Sequence, residues 1–218
     1  VYEFENLAND KKIKIVDVRH QDEFAKGHVP NSIFIGIDGG FAPWVGSVLS
    51  DVQQPILLVV DDGRVEEAIT RLSRVGFDNV KGFLRGGFNS WVKANKKVEK
   101  IETILATEFE NNLNINSSSV FDVRKLTEYQ SEHVLNSINI PLNNISNFIS
   151  DFKKEGSHYI HCAGGYRSMI ANSILKQHGI HNLTDIVGGF SSIKKTKIET
   201  TEYILSLIHI SEPTRLSW

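Results

Sequence analysis

The chain has 218 residues, 40% of them apolar and 23% charged, with a formal net charge of −2. That balance argues against a nucleic-acid or membrane-surface partner, and no apolar run approaches the ~18 residues of a membrane span. A single cysteine excludes an internal disulfide framework and a cysteine-based zinc site; it fits a reducing compartment, so a cytoplasmic location is expected.

The sequence opens at Val1 without a methionine, and its sole Met is Met169, so a piece of a longer protein is expected. Ile13 to Val18 and Ile56 to Val60 read as short buried strands. Val65, Ala68, Ile69, Leu72 and Val75 are spaced for one face of a helix. A lysine-rich stretch, Lys93 to Lys100, then leads into a second half built the same way. Val120 to Val123 and Tyr159 to His161 read as strands, and a helix is expected from about Ser168 to His178, stopped by Gly179. Alternating strands and helices predict an α/β fold around a mainly parallel sheet. From Leu205 onward the sequence resembles translated sequencing-library adapter, and residues 205–218 are set aside as non-native.

An internal repeat organises the rest. Asp17-Val18-Arg19 recurs as Asp122-Val123-Arg124, and the match runs on through Glu23/Glu128, His28/His133, Asn31/Asn136, Ser32/Ser137 and Ile35/Ile140. Gly86-Gly87-Phe88 is answered by Gly188-Gly189-Phe190. The reading is two domain-sized copies, residues 1–95 and 96–204, rather than a solenoid.

Cys162 ends a strand-like run and opens the loop Cys162-Ala163-Gly164-Gly165-Tyr166-Arg167-Ser168. Unpaired amides at a helix start stabilise a thiolate, which makes Cys162 a candidate nucleophile. Gly164 and Gly165 are expected to curl the backbone so that amides face the sulfur, an anion nest. Ala163, Gly164, Gly165, Tyr166, Arg167 and Ser168 are the candidate substrate-binding residues. Arg167 has two open roles, anchoring an anionic donor or capping the loop. In copy one the corresponding stretch is Leu58-Val59-Val60-Asp61-Asp62-Gly63-Arg64, and Asp61 or a neighbour takes the cysteine's place. A carboxylate does not replace a thiolate nucleophile, so copy one is expected to be inactive. The paired His28/His133, Asp17/Arg19 and Asp122/Arg124 are read as structural, and His161 as pointing away from the loop. Trp44 and Trp91 are read as packing residues, and Tyr166 as shaping the pocket mouth.

The Asp-Val-Arg strand end, the Glu-x4-His-Val segment, the cysteine loop and the late Gly-Gly-Phe together resemble the rhodanese domain, twice over. The copy-two loop and Gly39-Gly40-Phe41-Ala42-Pro43-Trp44 resemble the C-terminal part of metallo-β-lactamase-fold persulfide dioxygenase–rhodanese fusions. That resemblance implies two rhodanese-like domains and a sulfurtransferase: sulfane sulfur passes from thiosulfate or a low-molecular-weight persulfide through a Cys162 persulfide to a thiol or other nucleophile. It implies a small-molecule donor and acceptor, a metal-binding domain upstream in the same polypeptide, and no metal or cofactor in these domains. Two other readings compete: a persulfide relay module that does not turn over, and a Cys-dependent phosphatase or arsenate reductase. The six-residue loop from Cys162 to Arg167 has the length associated with sulfur rather than phosphate chemistry. Glu132, Leu135 and Asn136 stand where the family often has Gly, Pro and Gly.

Overall fold

The computed structural model describes residues 1–112, 118–152 and 156–201; the adapter-like tail at 205–218 lies outside them. Each copy builds one fully parallel sheet. In copy one, β1 (Lys14–Asp17), β2 (Ile33–Phe34), β3 (Ile56–Val59) and β4 (Val80–Phe83) lie in the order β2-β1-β3-β4. In copy two, β5 (Glu102–Leu105), β6 (Ser118–Asp122), β7 (Ile138–Asn139), β8 (Ser157–His161) and β9 (Leu183–Val187) lie in the order β5-β9-β8-β6-β7. Every residue of β3 is buried, as expected of a central parallel strand covered on both faces.

Helices α1 (Tyr2–Ala8), α2 (Gln21–Lys26), α3 (Phe41–Val48), α4 (Val65–Ser73) and α5 (Gly87–Lys93) flank the first sheet. The second carries α6 (Ala106–Asn112), α7 (Leu126–Ser131), a 3₁₀ segment (Leu142–Asp151), α8 (Tyr166–Gln177) and α9 (Gly189–Ile193). Outer clusters close the far faces: Phe4, Ile15, Leu57 and Trp91 in copy one, Phe109, Ile186, Phe190 and Ile193 in copy two.

The inner faces do not form two separate cores. Val16, Phe34, Ile56 and Leu72 of copy one belong to the same buried apolar cluster as Phe121, Ile160, Ile170 and Leu175 of copy two. Helix α8 is the shared element, buried at every position from Ser168 to Leu175. It lies against β2, where the Phe34 amide donates to Ser173 Oγ at 3.1 Å. A helix covered on all sides needs no polar stripe. Gln177 Nε2 donates to the Asn31 carbonyl, extending the seam, and within copy two Lys176 Nζ donates to the Lys100 carbonyl at 2.6 Å.

Two positions that depart from the family pattern fit their backbone. Glu132 has φ −164°, extended geometry open to any residue, and Asn136 has φ 62°, mirrored by Asn31 at 63°. Asparagine tolerates that left-handed conformation better than most residues.

Candidate active site

Cys162 follows β8 directly, and α8 starts at Tyr166, two residues earlier than its sequence suggests. The reason is Gly165, whose φ of 103° and ψ of −24° turn the chain straight into the helix. The Gly165 amide donates to Cys162 Sγ at 3.1 Å. The carbonyls of the loop are held on the opposite side: Phe190 and Ser191 amides, at the start of α9, donate to the Cys162 and Ala163 oxygens at 2.7 and 3.0 Å. Gly189 makes this possible, since a Cβ there would collide with the Cys162 carbonyl. The two loop glycines differ in kind. Gly164 is not in the positive-φ region and a Cβ on it would meet nothing within 4 Å, so only Gly165 carries the conformational requirement.

Cys162 is 1% exposed, yet it lines a cavity of about 440 Å³ between the two copies. Copy two supplies Cys162, Ala163, Gly164, Tyr166 and Arg167; copy one supplies His20, Gln21, Phe34, Asp38 and Trp44 among others. Tyr166 joins the walls: its hydroxyl donates to the Gly36 carbonyl at 2.7 Å, and its ring meets Phe34 edge-on at 5.5 Å. Gly39 must be glycine for the ring to sit there, because a Cβ would stand inside it. Ser168, the last of the predicted binding residues, is fully buried beneath the loop, where its hydroxyl lies 3.0 Å from the Gly165 carbonyl.

The charges around the cavity are matched within the protein. Arg167 binds Glu128 through both terminal nitrogens, at 2.6 and 2.8 Å. This pairing pulls the Glu128 carboxyl down to about 2 and keeps the guanidinium charged, with Cys162 acting in the same sense on Arg167. Across the cleft Arg64 chelates Asp38 with two contacts of 2.7 Å. Buried Arg19 is held by Asp17, with 2.7 Å between Nη2 and Oδ2. Among the described residues no group of three or more His, Cys, Asp or Glu could hold a metal.

The rhodanese-like domain profile matches residues 1–94 and again 105–196. The chain belongs to the rhodanese family. Among curated proteins, it is 30% identical over 90 residues to the thiosulfate sulfurtransferase GlpE of Shewanella oneidensis, covering 41% of this chain and 85% of that one. It is 39% identical over 71 residues to the adenylyltransferase and sulfurtransferase uba4 of Ogataea parapolymorpha, covering 32% of this chain. An uncharacterised Buchnera aphidicola protein is 32% identical over 90 residues, 41% of this chain. The chain spans 60% of the length of the Buchnera protein and 18% of uba4. Among solved structures, a rhodanese-related protein of Thermoplasma volcanium is 29% identical, with a TM-score of 0.42 over 46% of this chain and 97% of that one.

In this rhodanese pair the strand order β2-β1-β3-β4 of the first sheet is matched by β7-β6-β8-β9 of the second. Asp17 pairs with Val59 and Asp122 with His161, so the position equivalent to Cys162 is Val60, not Asp61. Val60 is buried and apolar, a neighbour of the residue singled out from sequence. The repeated polar residues have structural partners in both copies. Arg19 packs its guanidinium over Phe88 at 4.3 Å and donates to Gly27 O; Arg124 does the same over Phe190 at 4.0 Å and to Glu132 O. His28 stacks on Phe24 with Nδ1 at 2.9 Å from its carbonyl, and His133 stacks on Tyr129 with Nδ1 at 2.7 Å. His161 is buried against Phe190, and burial lowers its pKa.

Sequence reasoning missed the copy-one side of the rhodanese cleft. Trp44, read as core or interdomain packing, does pack against the shared apolar cluster and also lines the cavity, as do His20, Gln21 and Asp38. Glu128 was visible as a repeated residue, but its pairing with Arg167 was not. The available signal was Gly39-Gly40 beside an aromatic residue, a dipeptide that invites close approach of another chain segment.

Proposed function

We propose that this rhodanese chain is a sulfurtransferase in which Cys162 alone carries the sulfur and copy one is inactive. The observation that carries the reading is the Cys162 sulfur at the base of an open cleft, accepting the Gly165 N–H at 3.1 Å. In the forward half-reaction the Cys162 thiolate attacks the outer sulfur of thiosulfate or of a low-molecular-weight persulfide. The donor S–S bond breaks, sulfite or a thiolate leaves, and Cys162 becomes a persulfide anion. In the second half-reaction an acceptor thiolate attacks the terminal sulfur and the Cys162 thiolate is restored, with no net electron change in the enzyme. The Gly165 amide donates to Sγ in the thiolate state; in the persulfide the charge lies on the terminal sulfur, one S–S bond beyond Sγ.

Val60 offers no nucleophile, which supports a scaffolding role for copy one as a wall of the cleft. The likeness to persulfide dioxygenase fusions supports a persulfide among the donors and an upstream metal-binding domain in the same polypeptide. The test is turnover with thiosulfate or a glutathione persulfide and a thiol or cyanide acceptor. Cys162→Ser is expected to lose transfer by at least about 10³-fold; full activity in that variant, or hydrolysis of an aryl phosphate in place of sulfur transfer, would overturn the reading.

A further inference from the structure

Beside the sulfur cavity a second one, of about 540 Å³, opens between the two copies. Copy one contributes Pro43 and Trp44 from α3, and copy two contributes Val123, Leu126, Pro141 and Leu142. Trp44 and Arg167 line both cavities, so the two adjoin at that pair. Leu126, the first residue of α7, is 53% exposed, an apolar side chain left uncovered on the wall of this groove. Each volume falls within the roughly 300–1,000 Å³ that holds an organic molecule, and thiosulfate in the sulfur cavity would leave the groove unfilled.

The charges are distributed unevenly between the two spaces. Every cation lining the sulfur cavity already faces a carboxylate of the protein. Arg167 is held by both oxygens of Glu128, Arg19 by Asp17, and His20 Nδ1 lies 3.5 Å from Asp22. Asp38 adds a carboxylate to the same wall, with Arg64 as its own partner. The groove is different. No acidic residue lines it, and Lys125 on its wall is exposed and forms no ion pair among the described residues. Lys125 lines the groove and not the sulfur cavity. A ligand anchored by its sulfur at Cys162 and reaching past Trp44 therefore meets an apolar wall and one unengaged positive charge.

We propose that this groove is the subsite for the carbon skeleton of an organic thiol, or of its persulfide, that carries an anionic group remote from its sulfur. The apolar wall takes the skeleton and Lys125 takes the anion. The role rests on the sulfurtransferase reading of Cys162, whereas occupancy of the groove is measured without it. With R as the skeleton, the Cys162 persulfide anion and RSH give the Cys162 thiolate and RSSH. The bond from Sγ to the outer sulfur breaks, a bond from the thiol sulfur to the outer sulfur forms, and the proton leaves with the product. No oxidant or reductant enters. Run in reverse the same molecule is the donor, so one subsite serves both half-reactions.

The probe is mercaptohexanoate, with mercaptohexanol as its neutral counterpart and mercaptoacetate as its short one. Binding is read first, by NMR of the whole chain as Cys162→Ser, which has no thiol to carry sulfur. The Trp44 indole N–H and Leu126 methyl signals are expected to move saturably with mercaptohexanoate, while mercaptoacetate leaves Leu126 unmoved. Lys125→Gln should weaken mercaptohexanoate about two- to fivefold relative to mercaptohexanol, the effect of one exposed ion pair. Transfer is read second, as the rate at which each thiol discharges a preformed Cys162 persulfide. Dividing by each thiol's rate with a free persulfide removes its intrinsic reactivity. Mercaptohexanoate should outpace mercaptoacetate at least about tenfold, and Leu126→Ser should shrink that ratio about two- to fourfold, near the burial of one methylene. Both substitutions fall on exposed side chains, where the fold tolerates change. No saturable shift at Trp44 or Leu126, or a preference for mercaptohexanoate untouched by both variants, overturns the proposal. Equal corrected rates for the long and short thiols overturn it too and leave the sulfurtransferase reading intact. Saturable binding at the groove in a chain that discharges sulfur to no thiol would sink that reading and uphold the groove as a thiol site.

Discussion

Gly165 and Gly164 are adjacent and chemically identical, yet the backbone asks different things of them. At φ 103° a side chain on Gly165 would be strained and would press on Gln21 Nε2, 3.0 Å from the new Cβ. Gly165→Ala is expected to cost about 1–2 kcal/mol in denaturant unfolding and to cut sulfur transfer, since the amide on Cys162 moves with it. Gly164→Ala should stay within about 0.5 kcal/mol of the parent. Equal effects from the two would contradict the assignment of the turn to Gly165. His28 makes the pH argument at the same scale. Burial lowers its pKa from 6.5 to about 4, so the folded state prefers the neutral ring. The unfolded chain then takes up the proton first as pH falls. The contribution, of the order of 3 kcal/mol, is complete above pH 6.5 and is lost as pH drops toward 4. In His28→Gln the stability slope across that window should flatten; an unchanged slope would place the acid sensitivity elsewhere.

At the scale of elements, the first turn of α8 and the segment before α3 are fitted to each other. Gly39→Ala places a methyl inside the Tyr166 ring, so the ring must leave its site and its bond to Gly36 with it. The expected result is a raised KM for the sulfur donor with a lowered Tm. Gly46→Ala, in the middle of α3 with nothing within 4 Å of its new Cβ, should instead stabilise by about 0.5–1 kcal/mol. Calorimetry with steady-state kinetics on both variants separates the close approach from ordinary helix propensity. The strands, α4 and the cysteine loop were legible because period, glycine placement and repetition are local signals. Helix α8 was legible as a helix but not as the shared core, since a surface buried by a second copy leaves no polar face to mark it. The position of Val60 escaped for another reason. The copy-one loop before its helix is one residue longer, 60–64 against 162–165, so residue matching drifted to Asp61, and only pairing to β1 restores the register.

Over the whole molecule, one apolar cluster spans both copies, and the sulfur cavity has a wall from each. Unfolding should therefore be a single cooperative transition. Phe34→Ala removes a fully buried ring that meets Tyr166 from the other copy. It is expected to cost about 3–5 kcal/mol and to lower hydrogen-exchange protection in β6 and β8 as well as in β1 and β3. Loss confined to the copy-one strands would mean two independent domains.

The most direct measurement is intact-mass spectrometry of the chain mixed with a single equivalent of sulfane donor, then chased with an acceptor thiol. One added sulfur atom, located on Cys162 and discharged stoichiometrically to the acceptor, is the expected result. A donor consumed with Cys162 unmodified, or the same discharge from Cys162→Ser, would contradict the account.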